Sequence, residues 1–74
     1  MTAQRYLIII EEGSANYSSY SPDVPGCVAV GATRDECERE MQGAIEFHLE
    51  GLRKYGDPIP EPRTTAAYVE VPAG

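Results

Sequence analysis

One amphipathic stretch, Thr33 to Tyr55, limits what this chain can fold into, because no other segment is long and periodic enough to be a helix. On a 3.6-residue wheel centred on Met41, the residues Cys37, Ala44, Ile45, His48, Leu52 and Tyr55 fall on one stripe. Glu38, Arg39, Glu40, Glu46, Glu50, Arg53 and Lys54 lie at its edges or outside it. One face is therefore made for burial. Thr33 followed three residues later by Glu36 has the form of a capping box, in which each side chain satisfies a backbone N–H of the first turn. Asp35 and Glu36 complement the positive end of the helix dipole, and Arg53 and Lys54 the negative end. Gly56 and Pro58 mark the stop.

The rest of the chain reads as short strands. Arg5 to Glu11 is rich in β-branched residues, too short for a helix, and apolar on both faces: Tyr6, Ile8 and Ile10 point one way, Leu7 and Ile9 the other. After a turn at Glu12 to Ala15, Asn16 to Ser21 returns as a polar strand whose Tyr17 and Tyr20 face opposite sides, completing a hairpin. Pro22 to Gly26 cannot continue a ladder, since two of its residues lack a donor and Gly26 suits a positive φ. Cys27 to Val30 is a third strand. Beyond the helix, prolines 58, 60 and 62 favour an extended, polyproline-like arm. Ala66 to Val71 reads as a fourth strand, with Ala67, Val69 and Val71 on one face and Tyr68 and Glu70 on the other.

The order β-β-β-α-β predicts an α+β fold with the helix crossing one face of the sheet. A right-handed connection from the third strand through the helix places the fourth strand parallel to the first, in the spatial order 3-2-1-4. A single helix covers a single face. Leu7 and Ile9 are then left on the uncovered side, and with Tyr17 and Tyr20 of the neighbouring strand they are assigned to a partner or oligomer interface. In the competing arrangement the proline arm and tail fold over that face. Phe47 also stands apart: it lies well off the buried stripe, near the angles of Gly43 and Gly51, so that a large apolar knob sits beside two positions without side chains. Interior helix glycines each cost roughly 1 kcal/mol relative to alanine, and this trio is assigned to the same class of interface.

Composition sets further bounds. The 74 residues make one small domain, 1–74, near the size where a single core is only just sufficient, so burial by a partner or a second copy is expected. The net charge of −6, from twelve acidic against six basic residues, argues against binding a phosphate backbone and suits a basic partner. Cys27 and Cys37 lack metal-ligand spacing and a nearby histidine, and read as reduced core residues. The start has no signal-peptide character, and no apolar run approaches the roughly 18 residues of a membrane span. A cytoplasmic protein with no membrane association is the expectation.

The candidates for chemistry are few. His48 is the only histidine, placed on the buried stripe with no nucleophile or second base tied to it, and is read as a packed residue. Ser18 and Ser19 have no Gly-x-Ser-x-Gly context. Glu11, Glu46 and Glu50 offer the oxygens a Mg²⁺ site needs, but nothing in their spacing selects it. No glycine-rich phosphate loop and no basic, aromatic-interleaved patch is present. No catalytic residue, metal or cofactor is assigned, and the chain is read as a non-enzyme.

Four linked motifs carry a resemblance: Tyr20-Ser-Pro-Asp-Val-Pro-Gly-Cys27, Gly31-Ala-Thr-Arg-Asp-Glu36, Ala44-Ile-Glu-Phe-His-Leu-Glu50 and Gly56-Asp-Pro-Ile-Pro-Glu-Pro62, in this order and at these spacings. Together, from the Tyr6 strand to the Val71 strand, they resemble the HicB antitoxin family. The resemblance implies a partial RNase H-like fold and an antitoxin that binds a small basic HicA-type toxin, an mRNA interferase, and blocks its RNA-cleaving surface. Full-length members carry a C-terminal helix-turn-helix or ribbon-helix-helix domain that binds their operator; this sequence stops at Gly74, so direct DNA binding is not expected of it. Cys37 stands where the family usually has alanine, and Gly43 and Gly51 replace more helix-favouring residues. The readings carried forward are an oligomeric antitoxin acting by occlusion, an orphan scaffold or ligand-binding module, and a residual Mg²⁺-dependent nuclease using Glu11, Glu46 and Glu50.

Overall fold

Three short strands in antiparallel order receive the helix on one side. The computed structural model describes residues 4–73, with β1 (Ile9–Glu12), β2 (Tyr17–Tyr20), β3 (Val28–Gly31) and α1 (Arg34–Lys54) in sequence. Gly13 N–H donates to the Asn16 carbonyl at 2.7 Å and closes the β1–β2 hairpin. The sheet order is β1-β2-β3, and the register sets Ile9, Tyr20 and Val28 in one row across it and Ile10, Ser19 and Ala29 in the next. Because side chains alternate, these two rows lie on opposite faces.

The helix packs over the second of those rows, chiefly against β3 and β2. Met41, Ile45 and Leu49 are buried there with Val24 and Cys27, and Tyr6, Ile8, Ala29, Ala44, Leu52 and Ile59 pack around them. Small residues permit the close approach. Ser19 is buried and donates to the Ala29 carbonyl, and Ser21 donates to the Leu7 carbonyl at 2.8 Å, so the polar strand hides no unpaired hydroxyl. At Gly31 a Cβ would lie 2.5 Å from the Cys37 nitrogen, which explains glycine where β3 meets the first turn of the helix.

Both helix ends agree with the sequence. Thr33 is the N-cap, its hydroxyl accepting from the Glu36 N–H at 3.1 Å, while the Glu36 carboxylate reaches one residue further back than a reciprocal box requires and accepts from the Ala32 N–H. At the other end Asp57 N–H bonds the Leu52 carbonyl and Gly56 N–H the Arg53 carbonyl, with Gly56 at φ 74, the paired contacts of a Schellman stop. Gly26 takes φ 82, as its place in the β2–β3 turn demands.

Several expectations are corrected. The first strand is Ile9–Glu12 rather than Arg5 to Glu11, so Tyr6, Leu7 and Ile8 precede the paired ladder. Tyr55 leaves the buried stripe: it is the C-cap, where the helical phase ends, and is 76% exposed, while Leu49 completes the stripe. Val24 is a fully buried plug in the proline-flanked turn rather than a turn residue alone. The fourth strand is the largest departure. Ala66 to Val71 pairs with nothing among the described residues, so the sheet is β1-β2-β3 without the expected neighbour, and β1 is an edge rather than a central strand.

The arm that leads to this segment is well anchored. Ile59 packs on the core, the Tyr6 hydroxyl donates to the Pro60 carbonyl, and Asp23 accepts from the Arg63 N–H at 3.0 Å, the Thr64 N–H at 2.9 Å and the Thr64 hydroxyl at 2.7 Å. The Thr64 amide and hydroxyl, with help from Arg63, hold the Asp23 carboxyl below its ordinary 3.8. Past Thr64 the chain is largely exposed: Tyr68, Val69 and Val71 are 103%, 82% and 76% exposed.

Gly31→Ala is expected to destabilise the fold by about 2 kcal/mol, because the new methyl meets backbone that cannot swing aside. Urea denaturation should show a lower midpoint with an unchanged slope. The Asp23 contacts need the carboxylate, and its native pKa is depressed, so their contribution is complete above the ordinary carboxylate pKa and lost as pH falls through the lowered value. At neutral pH, Asp23→Ala should speed tryptic cleavage after Arg63 relative to the parent chain while leaving the helical circular dichroism unchanged.

Candidate functional site

Among the described residues, apolar side chains stay open on the sheet back and on the outer side of α1, besides a cleft at the β1 edge. The first surface is the sheet face opposite the helix, where the strand pairing collects Ile9, Tyr20, Val28 and Val30 with Glu11 and Ser18, and Leu7 precedes the ladder two residues before Ile9. Val28 is 68% and Val30 59% exposed, so this face is open to solvent, and the exposed tail does not fold back over it. Such patches on small domains mark contact surfaces. Leu7, Ile9 and Tyr20 sit where the sequence placed them. Tyr17 shares the parity of buried Ser19 and lies on the helix side, half-buried, so it does not join this surface. Val28 and Val30 were missed, although their alternation with Cys27 and Ala29 is the signal that finds them.

The second surface is the outer side of α1. Phe47 is 80% exposed and borders a shallow depression with Glu50, Gly51, Lys54 and Tyr55. A Cβ built at Gly43 or Gly51 meets nothing within 4 Å, so no internal contact of the fold requires glycine at either position. Two glycines that weaken the helix without serving its packing leave Phe47 projecting from a bared backbone. The flanking charges are mainly acidic: Glu40 and Glu50 lie on the same side by helical spacing and Glu46 at its edge, with Lys54 as counterweight. The Lys54 ammonium stands 5.8 Å from the centre of the Tyr55 ring. Arg34 and Glu38 form an exposed pair at 3.7 Å, and the Gln42 amide donates to Glu46 at 3.2 Å.

A cleft runs beside β1. It is lined by Ile8, Ile10, Ile45 and Leu49, with Ala66 and Tyr68 of the tail also bordering it.

Among the described residues the candidate reactive side chains are dispersed. Glu11, Glu46 and Glu50 do not gather, and among the described residues no three His, Cys, Asp or Glu side chains are grouped to hold a metal ion. Burial raises the Cys27 thiol above its usual pKa and keeps it a poor nucleophile. Cys37 is buried and unbridged, its sulfur facing the Ala29 carbonyl at 3.9 Å. His48 is half-buried beside Leu49 and makes no side-chain hydrogen bond among the described residues. The buried hydroxyls of Ser19 and Ser21 are spent on backbone carbonyls. Nor is any helix among the described residues long and apolar enough to cross a membrane.

Comparison with known proteins agrees with this picture of a surface-bearing small fold. The chain is 34% identical over 67 residues to an uncharacterised 14.9 kDa protein from the rep-hol intergenic region of Haemophilus phage HP1, covering 90% of this chain and 50% of the phage protein. It thus spans half the length of that relative. It is 32% identical over 57 residues to the UPF0150 protein Ta0767 of Thermoplasma acidophilum, covering 76% of this chain and 83% of the archaeal protein. Among solved structures it superposes on a chain of the HicA3 and HicB3 toxin-antitoxin complex with a TM-score of 0.70 and 30% identity, over 81% of this chain and 70% of that one. The model of the HicB-like antitoxins of bacterial toxin-antitoxin systems matches residues 6–73, which takes in every element described above, and the chain belongs to that family.

Proposed function

We propose that this protein neutralises a small, basic HicA-type mRNA interferase by binding it through the outer face of α1 and covering its RNA-cleaving surface. The observation that carries the reading is Phe47, a large aromatic side chain 80% exposed on an acidic helix face. Aromatic anchors set in a surface without neighbouring bulk are the usual centres of binding energy. Glu40, Glu46 and Glu50 around it supply charge opposite to that of a basic toxin, which speeds encounter and fixes orientation more than it adds affinity. Gly43 and Gly51 let the partner's backbone approach closely on either side of the anchor. Kinship with an antitoxin family and the fold shared with a toxin-antitoxin complex support the choice of partner.

In this reading the protein is a cytoplasmic binding module, 1–74 acting as one unit, and catalyses nothing itself. The partial RNase H-like sheet, order 3-2-1-4, belongs to the same proposal, with β1 awaiting its fourth neighbour.

Co-expression with the basic RNase encoded beside this chain should restore growth that the RNase alone arrests. Failure of that rescue would falsify the antitoxin reading. Phe47→Ala should weaken binding of the RNase roughly 30-fold, as loss of a central anchor of about 2 kcal/mol does, without shifting the thermal midpoint, since the ring packs on nothing in the free chain. Glu40→Lys with Glu50→Lys should mainly lower the association rate and its salt dependence, measured by surface plasmon resonance.

A further inference from the structure

The first strand is an edge, and the run that leads into it has the composition of an interior. Tyr6 to Ile10 is apolar on both sides and contains neither proline nor lysine, while β1 itself, Ile9–Glu12, pairs on one side only, with β2, and ends in two exposed glutamates. Natural edge strands are blunted by such residues or covered. Beside this one lies a cleft of about 1070 Å³, walled by Ile8 and Ile10 from the sheet and Ile45 and Leu49 from the helix.

The segment with the sequence to fill it exists in this chain but does not do so. Ala66 to Val71 alternates as a strand, yet Tyr68, Val69 and Val71 are 103%, 82% and 76% exposed, and only Ala66 and Tyr68 border the cleft. The reason lies upstream. Prolines 58, 60 and 62 stiffen the arm, and the Tyr6 and Asp23 contacts fix its course as far as Thr64, so the tail leaves the body on a set heading. Exchange of an identical element between chains is a low-cost route to dimers.

The overall dimensions say the same. The chain exposes 6150 Å², against about 4,500 Å² for a compact monomer of its 8.1 kDa mass. Its radius of gyration is 14.5 Å, where a compact chain of this length has about 11 Å. The surplus is about twice the roughly 800 Å² that each partner buries in a standard protein interface, the scale of an extensive dimer contact.

We infer that Ala66–Val71 of a second copy enters this cleft as a strand parallel to β1, and that the exchange is reciprocal, giving a two-fold dimer in which each sheet has the order 3-2-1-4 with its fourth strand borrowed. Val69 and Val71 of the incoming tail face Ile45 and Leu49, and Tyr68 extends the open row of Ile9 and Tyr20. A second copy is favoured over an unrelated partner because it brings the matching strand and simultaneously buries the exposed tail of its partner. This inference is independent of the toxin and is tested without it.

Sedimentation equilibrium of the full chain should give a dimer. Val69→Pro, which removes a ladder donor from a residue that packs on nothing in the free chain, should weaken dimerisation at least tenfold while the helical circular dichroism is kept. In an equal mixture of isotope-labelled and unlabelled chains, filtered NOEs between β1 and the 66–71 backbone should connect different copies. A monomeric chain, NOEs confined to one copy, or a dimer that survives Val69→Pro but dissociates in Val28→Asp would each overturn the exchange.

Discussion

The packing of one amphipathic helix against one face of a three-stranded sheet is the contact on which everything else depends. Met41 at its centre is wholly buried, and the flanking Cys37, Ile45 and Leu49 tie the helix to β3, β2 and the Val24 plug. Burying such side chains stabilises by about 1.5–3 kcal/mol each before entropy is counted, and a domain this small has few of them. The helix therefore cannot be spared, and among the described residues nothing covers the opposite sheet face.

This economy separates the molecule into surfaces with different chemistry. The sheet back and the β1 edge are apolar and regular, suited to more sheet or to another apolar face. The outer helix is acidic with one aromatic anchor, suited to a basic partner. Because the two surfaces are apart, a contact at one does not compete with a contact at the other. The glycines at 43 and 51 fit that division, for they weaken the helix and serve no contact inside the chain.

The arm has a structural task that its composition does not announce. Asp23 projects from the turn that also carries Val24, and its carboxylate gathers two amides and a hydroxyl of the arm. The same five-residue turn thus plugs the core with one side chain and steers the C-terminal segment with its neighbour. Neither role follows from reading Pro22 to Gly26 as a breaker of strands, which is all that its prolines and glycine disclose.

Local rules accounted for the elements whose causes are local. The helix and both its ends follow from a 3.6-residue period, Thr33, Glu36 and Gly56; the three strands and their turns follow from alternation, proline and glycine; and the open face with Leu7, Ile9 and Tyr20 follows from having one helix for two faces. The sequence also places Phe47 off the buried stripe, since its angle on the wheel is fixed by position alone. Tertiary structure decided the rest. Whether Ala66 to Val71 is a strand depends on reaching an edge, and a strand has no hydrogen bonds of its own to settle the matter, so alternation alone could not tell a paired segment from an unpaired one. Leu49 in place of Tyr55 on the buried stripe, Tyr17 beneath the helix and Val24 inside the core likewise turn on where α1 ends and how it crosses the sheet, which are properties of the packed chain and not of any stretch within it.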